Sequence, residues 1–414
     1  LGDEQARFLR RIEGWISDAL DAEPDLSFGS LVAGLPGVAP GVAADVLHVM
    51  AAGEGPYALK AKDLIEDCAE TKPTTALTVY RPIPHPLDYF WAFSPESIEK
   101  LAAILLARTS PGDAIVYLGT PNAFNAAAAV MADRNHVLLD RREVGGDPRQ
   151  DGNRRFARID LLADDVPRLG ADAAILDPPW YPDDMCGFLW AAAAAAAPGG
   201  QIWMSSPPMG TRPKAEREVS EVIDWAARAG LELVERLDGA IRYLSPPFEL
   251  SSHRVAHLGG VPLDWRTGDF LQFQLLSPLA CARPPTAAGE GSWRRFVIDE
   301  IPIWVKIRTE ATTAIGNQLL RGITSADVLQ TVSRRDSTRK EVDLWTSLNR
   351  VWASSHPAAL AEVCGCLEVG DGQPDAAVAT RLERDLSVEE REHVRRLAED
   401  LKKTVSRERE EHGM

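Results

Sequence analysis

The chain has 414 residues, of which 45% are hydrophobic and 26% charged, and its net charge is −16. That is more than one ordinary core takes up, so two or three domains are expected. No apolar run reaches the ~20 residues that span a bilayer, Leu1-Gly2-Asp3-Glu4-Gln5 lacks the pattern of a signal peptide, and the acidic balance argues against broad contact with a polyanion, which depends on Lys and Arg neutralising phosphates.

A local basic groove is still allowed, but a small molecule, a cation such as a polyamine, or a protein suits this charge better. The five cysteines (Cys68, Cys186, Cys281, Cys364, Cys366) are scattered and odd in number. They suit a reducing, cytoplasmic setting rather than a disulfide scaffold. Cys364-Gly365-Cys366 has no second pair at zinc-like spacing, so no metal site is predicted.

Residues 4–21 place Phe8, Leu9, Ile12, Trp15, Ile16 and Leu20 at helical spacing. Leu26–Leu35 and Val42–Met50 continue the helical pattern, broken by Pro36-Gly37 and Pro40. With Tyr57-Ala58-Leu59-Lys60 after them, residues 1–70 read as a winged-helix-like helical domain. Its recognition-helix candidate, Gly41–Met50, has no Lys or Arg, which base readout normally needs. Packing or dimerisation is the expected role, with a homodimer as one outcome.

Residues 71–93 form a Pro-rich connector with Pro73, Pro82, Pro84 and Pro86. Its end sets Tyr89, Phe90, Trp91 and Phe93 beside His85 and Asp88. It reads either as a linker clamped onto the next domain or as a loop that closes over a ligand. Ser94-Pro95-Glu96 opens a helix to about Arg108, with Ser at the cap and Pro in the first turn.

Residues 94–280 then alternate strand and helix. Ala114–Gly119 is a buried-strand pattern, Thr120-Pro121-Asn122-Ala123-Phe124 a turn, and a helix follows from Asn125. A nucleotide-type cofactor sits where the first strand meets the next helix, and Gly119 permits close backbone approach there. His136–Asp140 is the second strand and ends in an acid; Phe156–Leu161 is the third and Asp172–Leu176 the fourth.

The fourth strand runs into Asp177-Pro178-Pro179-Trp180-Tyr181. Proline has no N–H for the ladder and pushes its predecessor to an extended conformation. The strand must stop, leaving a stiff turn at the carboxyl edge where open α/β sheets bind ligands. An exocyclic amine is a poor nucleophile because its lone pair is delocalised. The Asp177 carboxylate and the Pro178 carbonyl can hold two amine hydrogens, and Trp180 or Tyr181 offers a flat face for stacking. The plain alternative is a Pro-rich loop after an ordinary strand.

Asp177-Pro178-Pro179-Trp180 resembles the catalytic motif of the amino-group methyltransferases, which modify adenine N6 or related amines with S-adenosylmethionine. Leu118-Gly119-Thr120-Pro121-Asn122-Ala123-Phe124 is similar to the reduced first motif of one N6-adenine-type branch, some members of which methylate protein lysines. The usual signature has an acid and several glycines, of which this chain keeps Gly119. The resemblance implies an α/β, Rossmann-like class I methyltransferase sheet. It implies S-adenosylmethionine as cofactor, seated by Gly119, Thr120, Pro121, Asn122, Asp140 and Asp160. Asp140 would hold the ribose hydroxyls and Asp160 would lie near the adenine. Asp177, Pro178, Pro179, Trp180 and Tyr181 would be catalytic, and the substrate would be a small-molecule, nucleobase or protein amine. Asp140 also reads as a strand-end cap or an ion-pair partner of Arg141 or Arg142.

Beyond the motif, Met185–Ala197 is helical and closed by Pro198-Gly199-Gly200. Gln201–Ser205 is a strand, Lys214–Gly230 a helix, and Leu231–Leu237 a strand. Arg242–Leu250 is a polar-aromatic loop before a hairpin, and Phe270–Leu275 alternates as a last antiparallel strand. This order matches the class I methyltransferase sheet. The layout of small winged helix, Pro-rich connector, Leu-Gly and then Asp-Pro-Pro is also similar to the branched-chain polyamine synthases, which transfer aminopropyl groups from decarboxylated S-adenosylmethionine. Their first motif carries acids where this chain has Thr120-Pro121-Asn122, and an acid follows their Asp-Pro-Pro where this chain has Trp180. Acids suit a cationic amine and an aromatic suits a planar base. A third reading is a non-catalytic binding or assembly protein on a degenerate methyltransferase fold.

Residues 281–414 are expected to form a mainly helical extension. Residues 276–300 read as a linker, with Pro284-Pro285, Gly289 and Gly291, and Ile301–Val305 as a strand. Helices are predicted over Thr309–Leu320 and over Asp343–Ala353, the latter with a stripe of Leu344, Leu348, Val351 and Trp352. Ser387-Val388-Glu389-Glu390 fits a capping box. It opens a charged helix to about Glu410, read as a solvated surface helix or a frayed tail.

Overall fold

Four helices begin the chain: α1 (Asp3–Ala22), α2 (Phe28–Gly34), α3 (Pro40–Ala52) and α4 (Ala58–Glu70). α1 buries Phe8, Ile12, Ile16 and Leu20, the stripe its periodicity predicts. The computed structural model describes residues 2–71, 83–88, 90–141, 152–279, 281–285, 292–308, 320–324 and 326–412. Residues 2–71 contain helices and turns but no strand, so the helices of the expected winged-helix domain are present without its wing.

The chain divides into two units. The first comprises Leu1–Lys72, Trp91–Ser245 and Gly259–Ala287; the second comprises Pro73–Phe90, Pro246–Leu258 and Ala288–Met414. In the first unit, α5 (Pro95–Arg108) is capped by Ser94, whose Oγ accepts from Ser97 N at 3.2 Å. Then follow β1 (Ala114–Leu118), α6 (Pro121–Val130), β2 (Asn135–Asp140), β3 (Arg154–Arg158), β4 (Ala171–Leu176), α7 (Pro182–Ala195), β5 (Ala196–Ser206), α8 (Ala215–Arg228), β6 (Leu231–Tyr243) and β7 (Arg266–Leu275).

These strands form one sheet in the order β3-β2-β1-β4-β5-β7-β6. β1 to β5 pair in parallel, and β7 runs antiparallel to both β5 and β6. This is the class I methyltransferase-like arrangement. The central strands are largely apolar because both faces are covered. Val116, Leu118, Leu176 and Met204 pack with Met185 and Leu189 of α7 on one face. Ile115, Tyr117, Ile175 and Trp203 pack with Leu101 and Leu105 of α5 and Phe124 of α6 on the other. Several boundaries differ from expectation: β3 is Arg154–Arg158 rather than Phe156–Leu161, β5 begins at Ala196 and takes in Pro198-Gly199-Gly200, β6 runs on to Tyr243, and two helices start early. α6 starts at Pro121 rather than Asn125, and α7 starts at Pro182, directly after the Asp-Pro-Pro-Trp-Tyr turn. In both, proline occupies the first helical position, where its missing N–H costs nothing.

The second unit corrects several expectations. α9 (Pro247–Val255) takes up the second half of the stretch read as a polar-aromatic loop, Arg242–Leu250, and continues into the region expected to start a hairpin. The rest carries a sheet ahead of its helices, which the expected mainly helical extension did not include. β8 (Ser292–Ile298), β9 (Ile301–Ile307), β10 (Leu320–Gly322), β11 (Leu344–Thr346) and β12 (Val351–Ser354) form an antiparallel sheet in the order β10-β12-β11-β9-β8. It is followed by α10 (Pro357–Val369), α11 (Pro374–Arg381) and α12 (Val388–Glu411). β8 lies inside the stretch read as a linker. Its two-residue turn into β9 has φ of 47° at Asp299 and 70° at Glu300, the turn geometry that hairpins favour.

The predicted helix over Asp343–Ala353 is the β11–β12 hairpin. Leu344, Leu348 and Val351 mimic a helical stripe. Asn349, at φ 63°, turns the chain, and its Oδ1 accepts from Trp345 Nε1 at 2.8 Å. The helix expected over Thr309–Leu320 lies outside the described residues up to 319. α12 opens with the predicted capping box: Glu390 N donates to Ser387 Oγ at 3.1 Å and Ser387 N to Glu390 Oε2 at 2.9 Å. It is a surface helix rather than a frayed tail: most of its residues are exposed, and one face buries Val394, Leu397, Leu401 and Val405 in the core that also holds Phe296, Ile303 and Leu344. Among the described residues no helix is long and apolar enough to cross a membrane.

Candidate functional site

The site builds from the register of three neighbouring strands. Leu118 of β1 pairs with Leu176 of β4, so Gly119 and Asp177 leave the sheet side by side at the carboxyl edge. Gly119 has φ +68°, and a Cβ there would lie 3.2 Å from Phe188 Cε1 and 3.9 Å from the Asp177 carbonyl. A side chain would fill the gap between the two turns, and glycine leaves it open. Thr120 follows, 1% exposed, and its Oγ1 is buried with no hydrogen-bond partner among the described residues. Buried hydroxyls are normally paired, so an orphan on a ligand edge marks a place for one more polar group.

The other cofactor candidates are placed as follows. Pro121 is the buried first residue of α6. Asn122 is tied down, its Nδ2 donating to Phe93 O at 3.3 Å and its Oδ1 accepting from Ala123 N at 3.1 Å. Asp140 is buried at the last position of β2, on the same edge as Gly119. Asp160 closes a turn after β3, its Oδ1 accepting from Leu162 N at 3.0 Å while its N donates to Asp164 Oδ2 at 2.8 Å.

Asp177 lies beside Ser205, because Leu176 of β4 pairs with Met204 of β5. Ser205 Oγ donates to Asp177 Oδ1, and Tyr243 OH donates to the same oxygen at 2.7 Å. No hydrogen bond from the described residues reaches Oδ2. Burial pushes the carboxyl up to about 7, although both donors favour its ionised form. Burial also pushes the Tyr243 hydroxyl well up, and the Asp177 charge adds to that. Tyr243 thus stays a neutral donor.

Trp180 is less free than the sequence suggests. Its Nε1 donates to Ser205 Oγ at 3.2 Å, its ring meets Tyr243 edge-on at 5.5 Å, and a Cβ on Gly268 would lie 3.0 Å from its Cζ2. It is a wall that holds Ser205 toward Asp177. Tyr181 is half-buried at the N-cap of α7, with the Arg212 guanidinium 5.6 Å from its ring centre. Pro178 is buried, and Pro179 O accepts from Tyr181 N at 2.7 Å. The edge therefore brings Gly119, Thr120 and Asp140 to one side and Asp177, Pro178 and Trp180 to the other. It leaves Asn122 bonded to Phe93 and Ala123, and Asp160 in its own turn.

Sequence reading missed Ser205, Tyr243 and Arg212. The signals were faint: a serine closing a predicted strand, and a tyrosine in a loop noted for its polar-aromatic character.

No protein-family model matches the chain, and no curated protein matches it. Among solved structures it is similar to the branched-chain polyamine synthase of Thermus thermophilus in complex with N4-aminopropylspermidine and 5′-methylthioadenosine. That likeness has 15% identity and a TM-score of 0.41, over 60% of this chain and 68% of that one. It is also similar to the 1,6-didemethyltoxoflavin-N1-methyltransferase of Burkholderia thailandensis, at 16% identity and TM-score 0.31 over 44% and 80% of the two chains. A 16S rRNA adenine methyltransferase from Catenulisporales acidiphilia is similar at 18% identity and TM-score 0.28, over 46% and 94%. Likenesses this distant concern the fold and say nothing of a reaction.

Proposed function

We propose that this chain is an S-adenosylmethionine-dependent methyltransferase acting on an amino nitrogen. One observation carries the reading. Asp177, at the sheet's ligand edge beside Gly119, has one oxygen fixed by Ser205 and Tyr243 and the other without a hydrogen bond from the described residues. Gly119, Thr120 and Asp140 fit the cofactor: an open backbone gap, an orphan hydroxyl, and an acid at the strand end suited to ribose hydroxyls. Pro121, Asn122 and Asp160 shape the flanking turns. Bound there, S-adenosylmethionine supplies an electrophilic methyl group.

The protein's own residues do the rest. Asp177 Oδ2 and the Pro178 carbonyl hold the two amine hydrogens, and Pro178-Pro179 keeps that pair rigid. Stacking of a planar amine falls to the remaining face of Trp180 or to Tyr181. Most of the acceleration comes from holding the nitrogen in line, a proximity effect. As the nitrogen gains a methyl group it loses a proton, and Asp177 accepts it. A carboxyl near neutrality is suited to that exchange.

The same observation favours a second reading, aminopropyl transfer to a polyamine. An alkyl amine arrives as an ammonium ion and must lose a proton before it can attack. A non-catalytic assembly role is the third reading, supported by the single glycine of the first motif. Calorimetric titration with S-adenosylmethionine, its decarboxylated form and S-adenosylhomocysteine separates the three. Binding of only the carboxylated compounds supports methyl transfer. Binding of only the decarboxylated compound replaces it with aminopropyl transfer, and no binding leaves the assembly role.

A further inference from the structure

We propose that the N-terminal helices brace the Asp177–Tyr181 turn, and that Arg212 is the positioning residue through which they do so. The functional part of this inference rests on the reading of that turn as a transfer site. The α2–α3 turn presses against the segment that follows β5. Gly37 has φ +71°, and a Cβ there would stand 2.9 Å from Pro208 Cγ and 3.1 Å from Thr211 Oγ1. Gly210 N donates to Pro36 O at 3.0 Å, and a Cβ on Gly210 would lie 2.3 Å from that oxygen. Two glycines thus allow backbone to meet backbone, and the meeting place is adjacent to Arg212.

Arg212 carries the constraint onward. Its Nη2 donates to Trp180 O, and its guanidinium faces the Tyr181 ring. Nε and Nη2 both reach Glu218 Oε2 of α8 at 2.8 Å, with the two side chains 16% and 9% exposed. Glu218 fixes the fork and pairs its charge. A planar fork with five fixed donors can serve a carbonyl and a carboxylate at once, whereas a lysine offers one mobile point. The path runs from Gly37 to Thr211 and Arg212, on to the Trp180 carbonyl, and then through the Trp180 indole to Ser205 and Asp177. It gives the helical domain, which lacks a basic recognition helix, a part in the site.

The test is hydrogen exchange on the full chain, followed in the peptide spanning Asp177–Leu189, where Tyr181 N bonds Pro179 O and Met185 N bonds Tyr181 O. Arg212→Gln and Gly37→Ala are each expected to speed exchange there by roughly fivefold or more, and the double variant to add little, because coupled sites are non-additive. Peptides over β1 and β2 should not change. Gly14→Ala, whose Cβ meets nothing within 4 Å, is the control. Millimolar guanidinium should restore protection to Arg212→Ala, which a fold-level defect would not permit. Unchanged exchange in Arg212→Gln, or a double variant equal to the product of the singles, overturns the brace. The readout needs no methyl donor. If the calorimetric titration fails while the exchange result holds, the brace stands and the transferase reading falls. If both hold, Arg212→Gln should lower transfer from S-adenosylmethionine with donor affinity within about threefold.

Discussion

Two carboxylates, one in each unit, are solvated by the protein in opposite ways: Glu408 is fully buried and Asp177 half-buried. Glu408, near the end of α12, is 0% exposed. Its Oε1 accepts from Thr346 Oγ1 and, at 3.3 Å, from Arg350 Nη1, while its Oε2 accepts from Ser347 Oγ at 2.9 Å. Ser347 has one hydroxyl hydrogen and gives it to Glu408, so His412 Nε2, 3.0 Å away, must donate to Ser347 Oγ. Burial holds His412 down at about 4, which keeps it neutral with its proton on that nitrogen. Arg350 also reaches Glu411 at 2.8 Å. Every oxygen of Glu408 is spoken for, and the result is a latch that fastens the last turns of α12 to the β11–β12 hairpin. Among the described residues, Asp177 has no cation in its hydrogen bonds, two neutral donors on one oxygen, and no donor on the other. A saturated buried acid locks an element; a half-satisfied one waits for a ligand.

The sharpest way to break this contrast is Asp177→Asn, in which the amide oxygen can still accept from Ser205 and Tyr243. Transfer of labelled methyl should fall at least about a thousandfold, while donor affinity by calorimetry stays within a few-fold. A large loss of donor affinity would contradict the role given to Asp177. The same variant tests the raised carboxyl. An aspartate moved from 3.8 to about 7 by folding lends stability that is fully present below pH 4 and lost as pH rises through 7. Urea titrations should therefore show the variant gaining on the parent above pH 7, by at most ~4 kcal/mol for three pK units, with the gain gone near pH 4.

Arg350→Met addresses the other acid. Leaving Glu408 buried without its cation should cost about 3–5 kcal/mol in urea unfolding. Glu408→Gln, which removes the charge and keeps the shape, should cost clearly less. Equal losses would mean that Glu408 is not held as an ion. The smallest expected effect comes from thinning the donors on Asp177. Tyr243→Phe and Ser205→Ala each remove a bond that favours the carboxylate, so the Asp177 carboxyl should rise further. The acidic limb of the transfer–pH profile should then move upward by about one unit, the equivalent of one charge-assisted hydrogen bond. A downward move would show that these hydroxyls do not solvate the ionised form.

The parts of the site that sequence reading reached are those that local chemistry dictates. Pro178 and Pro179 end β4 wherever they occur, and Gly119 marks a bend that a side chain would obstruct. The alternation of strands and helices also gave the sheet of the first unit. The donors on Asp177 were out of reach, since Ser205 and Tyr243 lie 28 and 66 residues along the chain. The hairpin at 344–354 was misread for a related reason. Leu344, Leu348 and Val351 satisfy a helical period, and the pairing of Leu344 with Val305 of β9, which overrides it, is non-local.

Residue chemistry alone thus settled where the backbone stops and bends: proline at the strand end, glycine at the tight approach, and serine with glutamate at the head of α12. Strand register then chose which side chains meet, and burial set how strongly each acid holds its proton. Both depend on surfaces that come together only on folding, so no window of the chain contains them.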